Sequence, residues 1–415
     1  MPEDVSKATP QDCRDESSKI AVTNTCDVAI VGGGPAGAFA AYLLAKRGAH
    51  VRVFDPSHPR EKPCGGGVTG RALALVAPLL SERIPAGVTV DSARFEDATA
   101  RSAAVVLETH GFSTASSLIV TGRRGFDRAL LDGAIAAGAV HDASRVRDVS
   151  LGTATPGVTI ATSTGDWHAH HVVGADGANS LVRRRLSRAF ERRQLSIATG
   201  FFAHGTTSRE IVIRFVPQPQ GYIWSFPRAD HLAIGICAQA DESQPGPLRD
   251  IVSTWITESR IAPDSSLEPY SWPIPSLAAT DFAHERPAGA GWMLVGDAAG
   301  LVDPITREGI FFALRSAQFA ADALADGGDP AARYEEALRD DIYPELSRAA
   351  RVKSNFFRGP FTRLLIDALH RSEPVRTIMR DLVAGTQPYR TLRKRLLGTF
   401  EVGLAWQLLR LQVGL

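Results

Sequence analysis

The stretch CDVAIVGGGPAG, residues 26–37, decides the fold of this chain. Its apolar beginning, residues 26–31, predicts a buried strand of a parallel sheet. Glycines then follow in the spacing GxGxxG, which allows a tight turn, a close approach of backbone to a pyrophosphate and close packing of the next helix. The three glycines are Gly32, Gly34 and Gly37.

The residues after this stretch complete a βαβ unit. A helical pattern runs through residue 47, and a second short strand, residues 51–54, ends at Asp55. A carboxylate at this strand end can bind ribose hydroxyls. The unit therefore predicts a dinucleotide site, although a merely structural glycine turn is the alternative, and the motif does not separate FAD from NAD. The cofactor-binding residues expected here are Gly32, Gly34, Pro35, Ala36, Gly37 and Asp55.

Composition excludes several classes of protein. The 415 residues are 44% hydrophobic and 22% charged with a net charge of +1, so nucleic acid is not expected as a partner. Four cysteines do not make a disulfide framework, and no apolar run is long enough to span a membrane. Residues 1–24 lack a secretory core and are predicted to be disordered. We expect a cytoplasmic protein, and heavy use of Arg and Ala indicates a bacterial genome.

Three further stretches resemble motifs of flavin-dependent hydroxylases, the para-hydroxybenzoate hydroxylase-like flavoproteins. GADGANSLVR (174–183) resembles their DG motif, GDAAG (296–300) their GD motif, and RRGFD (123–127) their RxxFD helix start. The resemblance implies FAD, with Asp297 on the ribityl chain and a helix from Gly309 directed at the flavin. For Asp176 the alternative is a turn carboxylate. The residues implied as FAD-binding are Arg123, Asp176, Gly296, Asp297, Gly309 and Ile310.

Two motifs resemble the geranylgeranyl reductase family, flavoproteins that saturate double bonds of isoprenoid chains. They are KPCGGG (62–67) and PQGYIWSFP (219–227). The resemblance implies that Cys64, Gly65 and Gly66 border the flavin and that Tyr222 and Trp224 line the substrate cavity. The alternative for Cys64 is a small buried hydrophobe.

The aromatic residues of the second motif alternate along a predicted strand. Tyr222, Trp224 and Phe226 therefore face one side and form a flat wall for a prenyl chain, or else ordinary domain core. One departure from the family concerns Arg307, which stands in TREGI (306–310) where the family has a glycine. Either the backbone there is not left-handed, or a cation lies beside the substrate or the flavin. We count Arg307 and Phe226 with the substrate-binding residues.

The predicted fold class is α/β, a Rossmann-type FAD-binding domain interrupted by an antiparallel β-rich substrate domain, with a helical C-terminal region. Short strand runs at 211–216, 222–226 and 231–238 indicate the antiparallel sheet. The expected FAD-binding domain comprises residues 25–88, 123–190 and 283–345, the substrate domain 89–122 and 191–282, and the helical region 346–415.

Basic and histidine clusters have simpler interpretations. His168, His170 and His171 lie on a predicted strand, so no metal site is expected, and Arg183 to Arg185 are expected as a surface cluster. The basic tail, residues 347–415, carries an apolar stripe at helical spacing, which predicts peripheral contact with the inner face of the membrane or docking on the FAD-binding domain. The stripe consists of Leu397, Phe400, Leu404, Leu408, Leu411 and Leu415.

The functional hypothesis is an FAD-dependent reductase of an isoprenoid or lipid-like substrate. Hydride would pass from reduced flavin to a carbon–carbon double bond, with NAD(P)H as a transient donor and a proton from Tyr222, Cys64 or water. Cys64, Tyr222 and Trp224 are the expected catalytic residues. The sequence leaves open the exact substrate, the electron donor and the oligomeric state. The alternatives are a flavin monooxygenase of an aromatic or secondary-metabolite substrate, and a binding protein without turnover.

Overall fold

A computed structural model describes residues 24–80, 86–107, 118–152 and 157–399. All but the last residue of the segment 1–24, predicted to be disordered, lies outside the described residues. The apolar stripe of the tail also lies outside them from Phe400 onward, and its first member, Leu397, is exposed.

The described residues form eighteen strands and eleven α-helices. The strands are β1 (Asn24–Val31), β2 (Val51–Phe54), β3 (Gly67–Thr69), β4 (Gly87–Thr89), β5 (Ser92–Glu96), β6 (Ser102–Val106), β7 (Leu118–Thr121), β8 (Val140–Asp142), β9 (Val146–Leu151), β10 (Val158–Thr162), β11 (Asp166–Gly174), β12 (Leu195–His204), β13 (Glu210–Pro217), β14 (Gln220–Pro227), β15 (His231–Gln239), β16 (Ser266–Pro275), β17 (Ala288–Gly289) and β18 (Trp292–Leu294). The helices are α1 (Pro35–Lys46), α2 (Gly70–Leu80), α3 (Arg123–Ala136), α4 (Leu181–Leu186), α5 (Pro245–Ser259), α6 (Ile310–Ala325), α7 (Pro330–Ala337), α8 (Tyr343–Phe356), α9 (Gly359–Arg371), α10 (Glu373–Val383) and α11 (Tyr389–Leu397).

The first sheet is the Rossmann-type sheet that the sequence predicts. Strand β1 lies at its centre, parallel to β2 on one side and to β11 on the other. Ala29 and Ile30 of β1 are fully buried, as expected for a strand covered on both faces. Helix α1 packs between α3 and α6, and the carboxyl end of β1 leads directly into the glycine turn. This arrangement places the turn at the edge where α/β sheets bind ligands.

The second sheet is the predicted antiparallel one. Its strand order is β16-β12-β15-β14-β13-β5-β6, antiparallel except for the parallel pair β13 and β5. Strand β14 lies between β13 and β15, with Tyr222 opposite Phe215 and Trp224 opposite Gly235. Gly235 makes room for the indole, because a Cβ there would lie 2.5 Å from Trp224 Cζ2.

A small third sheet, β3-β7-β4, includes part of a loop whose sequence predicts irregular structure. The loop from 55 to 70 reads as irregular because of its Pro and Gly content, yet its last residues form β3. Strand β3 pairs with β7, which also pairs with β4. Because β7 lies about fifty residues further along the chain, no local pattern reveals this pairing.

The two faces of the second sheet have different coverings. Helix α5 covers one face, where Val252 and Trp255 pack with Ile223. Helices α8 to α11 belong to the apolar cluster on the other face, where Phe356 packs against Phe215 with ring centroids 5.9 Å apart. The C-terminal helices therefore enclose space above the strand that carries Tyr222. Within the described ranges, no helix combines the length and apolar character needed to cross a bilayer.

Candidate active site

A cavity of about 520 Å³ has walls from both large sheets. We call the wall around the glycine turn the cofactor side and the wall formed by β14 and α8 the aromatic side. The cofactor side includes Gly32, Gly34, Pro35, Ala36, Asp55, Asp176 and Asp297. The aromatic side includes Tyr222, Trp224, Phe226, Phe356 and Phe357. Because the same cavity reaches both sets, a molecule on the aromatic side can meet one on the cofactor side.

The glycine turn needs its glycines at two positions. Gly32 has φ +104°, and a Cβ there would lie 2.4 Å from the carbonyl oxygen of Ala175. A Cβ on Gly37 would lie 1.9 Å from the carbonyl oxygen of Gly32. Helix α1 then begins at Pro35 with Gly34 as its N-cap. Its first N–H groups have no acceptor within the helix, so this end suits a phosphate.

Asp55 lies at the end of β2 and is held by the turn beside it. One carboxylate oxygen accepts from the Gly33 amide at 2.9 Å, and the other accepts from the amide and hydroxyl of Ser57. Burial alone would raise the pKa of Asp55, but these hydrogen bonds outweigh burial and hold it below its usual value. The side chain is therefore an ionised acceptor, which fits hydroxyl donors of a ribose.

Asp176 has one satisfied oxygen and one unsatisfied oxygen. Oδ2 accepts from the amides of Leu181 and Val182 at 2.6 and 3.2 Å, which caps the start of α4. Oδ1 is buried with no hydrogen-bond partner among the described residues. Burial raises the pKa of Asp176. Asp176 is thus a turn carboxylate through Oδ2, and its Oδ1 can also accept a hydrogen bond from a ligand hydroxyl.

Arg123 begins α3, as its motif predicts, but its guanidinium is already paired. It donates two hydrogen bonds of 2.8 Å to the carboxylate of Asp127, and both side chains are buried. The backbone amide of Arg123 donates to Glu61 at 3.0 Å. The guanidinium therefore stabilises the start of α3 at the cavity wall.

Asp297 and the start of α6 lie side by side. Lys62 donates to Oδ2 of Asp297 at 2.8 Å, and a Cβ at Gly309 would lie 3.4 Å from Oδ1. Gly309 is the N-cap of α6, and Ile310 is its first residue. Gly296, just before Asp297, has a left-handed φ of +58°. The structure thus adds a basic partner, Lys62, to the predicted ribityl-binding position.

The Cys-Gly loop is held by an arginine that sequence reasoning missed. Arg228 donates to the carbonyl oxygens of Cys64 and Gly65 at 2.8 and 3.1 Å and to Glu61 at 3.2 Å. Its side chain is only 1% exposed. Gly66 has φ +85°, and a Cβ there would lie 2.7 Å from Arg228 Cζ. The position of this arginine, directly after the PQGYIWSFP strand, could have indicated its role, because a buried guanidinium needs several hydrogen-bond acceptors.

Tyr222, Trp224 and Phe226 all line the cavity. The prediction that their rings form a flat wall is wrong. The rings of Tyr222 and Trp224 are 5.9 Å apart and inclined by 60°, because aromatic pairs favour edge contacts. Tyr222 instead stacks on Phe357, at 5.8 Å and 25°. Phe226 packs under the glycine loop, since a Cβ at Gly65 would lie 3.0 Å from its ring.

Arg307 lines the cavity and has φ +60°. The explanation that the backbone at this position is not left-handed is therefore wrong. The backbone is left-handed, as a glycine would favour, and an arginine occupies it. Its guanidinium donates to Ser276 Oγ at 2.9 Å. The neighbouring carbonyl, that of Thr306, accepts from the Tyr222 hydroxyl at 3.2 Å. The cation therefore lies next to the aromatic side.

Among the described residues no group of His, Cys, Asp or Glu has the arrangement of a metal site. The expectation that Arg183 to Arg185 form a surface cluster is wrong for the first of them. Arg183 is not at the surface, since it is 2% exposed and pairs with Glu285 at 2.6 Å. Arg184 and Arg185 are exposed.

The residues present fit FAD. A glycine turn with a free helix end can hold a pyrophosphate, and Asp55 can hold a ribose. The unpartnered oxygen of Asp176 and the carboxylate of Asp297 are acceptors for further hydroxyls along the same cavity. The predicted cofactor-binding residues thus line one cavity, except Gly37 and Gly296.

Comparison with known proteins agrees with this fit. The family model described as FAD binding domain matches residues 25–327. The chain is 30% identical over 367 residues to digeranylgeranylglycerophospholipid reductase of Methanothrix thermoacetophila, which covers 80% of this chain and 88% of that protein. It is 29% identical over 372 residues to menaquinone reductase of Mycobacterium tuberculosis, covering 80% and 84%.

A solved structure has the same fold. A geranylgeranyl bacteriochlorophyll reductase-like protein from Thermoplasma acidophilum aligns with a TM-score of 0.72 and 22% identity, over 91% of this chain and 100% of that one. The α/β fold class with its FAD-binding Rossmann-type sheet, antiparallel sheet and helical C-terminal region is therefore confirmed.

Proposed function

The chain belongs to the geranylgeranyl reductase family of FAD-dependent oxidoreductases, and we propose that it saturates carbon–carbon double bonds of an isoprenoid substrate. One observation carries the proposal. The aromatic side, with Tyr222 and Trp224 buried on it, belongs to the same cavity as the cofactor side. Such a surface suits a prenyl chain, whose burial is favourable by about 0.8 kcal/mol for each CH2 group.

FAD would be held by the glycine turn, Asp55, Asp176 and Asp297, and once reduced it would supply a hydride to the substrate. The chain must supply the matching proton. Tyr222 is poorly suited, because burial raises the pKa of its hydroxyl and the proton is already donated to Thr306. The sulfur of Cys64 accepts from the Gly66 amide at 3.3 Å, which leaves the thiol proton uncommitted at the cavity wall. We therefore assign proton donation to Cys64 and substrate orientation to Tyr222 and Trp224.

The electron donor in this proposal is NAD(P)H, bound only transiently. The GxGxxG at 32–37 joins the parallel strand β1 to α1, and the FAD pyrophosphate would occupy it. The same spacing at 65–70 lies within the Cys-Gly loop and β3 and does not follow a strand of the parallel sheet. A nicotinamide donor would therefore approach the flavin without a Rossmann domain of its own. To test NAD(P)H as the donor, NADH or NADPH is added to the holoenzyme. Reduction of the bound flavin is measured as loss of absorbance at the flavin maximum.

Peripheral contact with the inner membrane face is also part of the proposal. The supporting observation is the basic tail with its apolar stripe from Leu397 to Leu415. A basic amphipathic helix binds anionic lipid and would bring the cavity to a lipid-like substrate. Flotation with anionic liposomes should carry the protein upward, and complete recovery in the unbound fraction would contradict this contact.

The deciding experiment is mass spectrometry of products from anaerobically reduced enzyme. The panel contains geranylgeranyl diphosphate, a prenyl quinone and a phenolic compound. We expect a gain of about 2 mass units for each bond reduced, without oxygen. Cys64→Ala should lower kcat about 100-fold with little change in KM. Cys26→Ala, in strand β1 and outside the cavity, is the matched control.

The second candidate is a flavin monooxygenase of an aromatic or secondary-metabolite substrate, because such enzymes have the same DG and GD motifs. A gain of about 16 mass units only after air is admitted would replace the reductase proposal with this one. Bound flavin that no donor reduces would instead favour a binding protein without turnover.

A further inference from the structure

Two cations share one hydroxyl group at the edge of the cavity. Arg307 donates to Ser276 Oγ at 2.9 Å, and Lys353 on α8 donates to the same oxygen at 2.8 Å. Lys353 also donates to Gln239 Oε1 at 2.7 Å. Arg307 itself lines the cavity, whereas Ser276 and Lys353 do not.

Within the described part of the chain, neither cation has a carboxylate partner. Among the ion pairs of the described residues, none within 4.0 Å includes Arg307 or Lys353. Ser276 and Gln239 are neutral, so the two positive charges are offset by no acid in contact with them. The Nε atom of Arg307 is buried without a hydrogen-bond partner. A guanidinium has five N–H donors, so Arg307 keeps several of them for a ligand.

Two neighbouring cations destabilise the folded protein when no anion lies beside them. Two like charges that share a single hydroxyl repel each other, and partial burial removes the water that would screen them. The cost is visible in Lys353, where burial and the charge of Arg307 lower the pKa to about 7. A ligand with a negative group beside Arg307 would remove both the repulsion and the unsatisfied donor.

The two cations lie next to apolar side chains of the cavity. Arg307 follows Thr306, whose carbonyl accepts from Tyr222. Lys353 precedes Phe356 by three residues on α8, so both lie on the same side of that helix. Trp272 and Ile274 of β16, which leads to Ser276, also line the cavity. A charged group at Arg307 would therefore have apolar side chains directly beside it.

We propose that Arg307, supported by Lys353 through Ser276, binds an oxyanion on the substrate, either a phosphate or a carboxylate, inside the cavity. This inference rests on the proposed function, because it names the class of isoprenoid that the aromatic side receives. The left-handed arginine is then a specificity residue of this chain, at a position where the resembled family has glycine.

The test is ligand binding to the oxidised holoenzyme, which needs no turnover. Quenching of tryptophan fluorescence is followed while geranylgeraniol, geranylgeranyl phosphate or geranylgeranoic acid is added, since Trp224 and Trp272 line the cavity. We expect at least one anionic ligand to bind about tenfold or more tightly than the alcohol. The tighter of the two anionic ligands identifies the headgroup.

Two variants and one control separate charge from folding. Arg307→Gly suits the left-handed backbone and should reduce the preference for the anion to about twofold or less. Lys353→Met should reduce it partly, by about threefold. Ala100→Gly is the control, because Ala100 has φ 63° and is exposed outside the cavity, and it should keep the full preference. FAD content and the melting temperature check that each variant is folded.

The outcomes distinguish the two levels of the proposal. If the alcohol binds as tightly as both anions, or if Arg307→Gly keeps the preference, the oxyanion site is wrong while the reductase proposal stands. If none of the three ligands binds, the oxyanion site is wrong, and the product panel with the prenyl quinone decides the reductase proposal separately. Should Arg307→Gly fail to fold, Lys353→Met and a rise in salt from about 50 to about 500 mM must still weaken anion binding selectively, or the oxyanion site is overturned.

Discussion

The guanidinium of Arg228 donates to the carbonyl oxygen of Cys64 at 2.8 Å, and this bond joins the antiparallel sheet to the loop beside the cofactor side. Arg228→Met would leave the carbonyl oxygens of Cys64 and Gly65 without this donor. Glu61 would lose its buried cationic partner and keep only backbone donors, the amides of Arg123 and Arg124. We expect a loss of about 2–4 kcal/mol in the free energy of unfolding, measured with urea, and weaker FAD binding.

Arg214→Met is the matched control, because Arg214 lies on the neighbouring strand and forms a longer ion pair with Glu96, at 3.5 Å. It should cost less than about 1 kcal/mol and leave FAD binding unchanged. Equal losses for the two variants would mean that Arg228 does not hold the loop.

Substitution of Gly66 separates steric clash from backbone strain. Gly66 and Gly48 have nearly the same φ, +85° and +87°. A Cβ on Gly66 would lie 2.4 Å from the carbonyl oxygen of Thr121, whereas none of the described atoms lies within 4 Å of a Cβ on Gly48. Gly48→Ala should therefore cost only the strain, about 1–2 kcal/mol.

Gly66→Ala should cost at least about 2 kcal/mol more than Gly48→Ala and yield protein largely without FAD. Thermal unfolding and the ratio of flavin to protein absorbance measure the two effects. Similar stability of both variants would show that the loop moves away from Arg228 without loss.

Asp55→Asn should weaken FAD binding about tenfold or more, because an amide offers one acceptor where the carboxylate offers two. Reconstitution of the apoprotein, followed by flavin fluorescence, measures the affinity. Asp142→Asn is the control. Asp142 lies on the adjacent strand β8 and pairs with Arg52 at 3.1 Å, outside the cavity. A similar loss for Asp142→Asn would assign the effect to the sheet and not to the ribose site.

Lys353→Met should stabilise the ligand-free protein, and most strongly at low pH. Burial and Arg307 lower the pKa of Lys353 to about 7 from the usual 10.5, while Cys237, Glu242 and Asp241 oppose this shift. The unfolded chain therefore binds more protons between pH 7 and 10.5, so stability rises with pH in that window. The penalty for Lys353 is largest below pH 7.

We expect the melting temperature of Lys353→Met to exceed that of wild type by about 2 °C or more near pH 6 and by less near pH 9. Lys394→Met, at an exposed position on α11, should show no such trend. A gain that grows with pH would contradict a buried, destabilised ammonium group.

Local motifs explain which parts of the site could be predicted. The glycine turn and Asp55 belong to one continuous βαβ unit, so their spacing alone predicts a dinucleotide site. Tyr222 and Trp224 were placed on one face because side chains alternate along a strand. Their mutual tilt could not be predicted, since it depends on Phe357, which stacks on Tyr222 from α8.

Residues with distant partners could not be predicted in the same way. Arg228 contacts Cys64 and Gly65 across more than 160 residues of sequence. In the sequence, Lys353 is only one of the many charges of the basic tail. Its burial could not be predicted, because it depends on how α8 packs against the sheet. Arg183 reads as surface for the same reason, although Glu285 pairs with it inside the fold.

The cavity also has a consequence for how relatives of this chain can diverge. Its cofactor side comes from residues before 311, whereas Phe356, Met379 and Leu382 of the apolar wall come from the C-terminal helices. Drift in the last part of the chain can thus reshape the space for substrate while the flavin keeps its surroundings. Under the proposed function, exchange of helices α8 to α10 between homologues should therefore change the preferred length of the prenyl chain without weakening FAD binding.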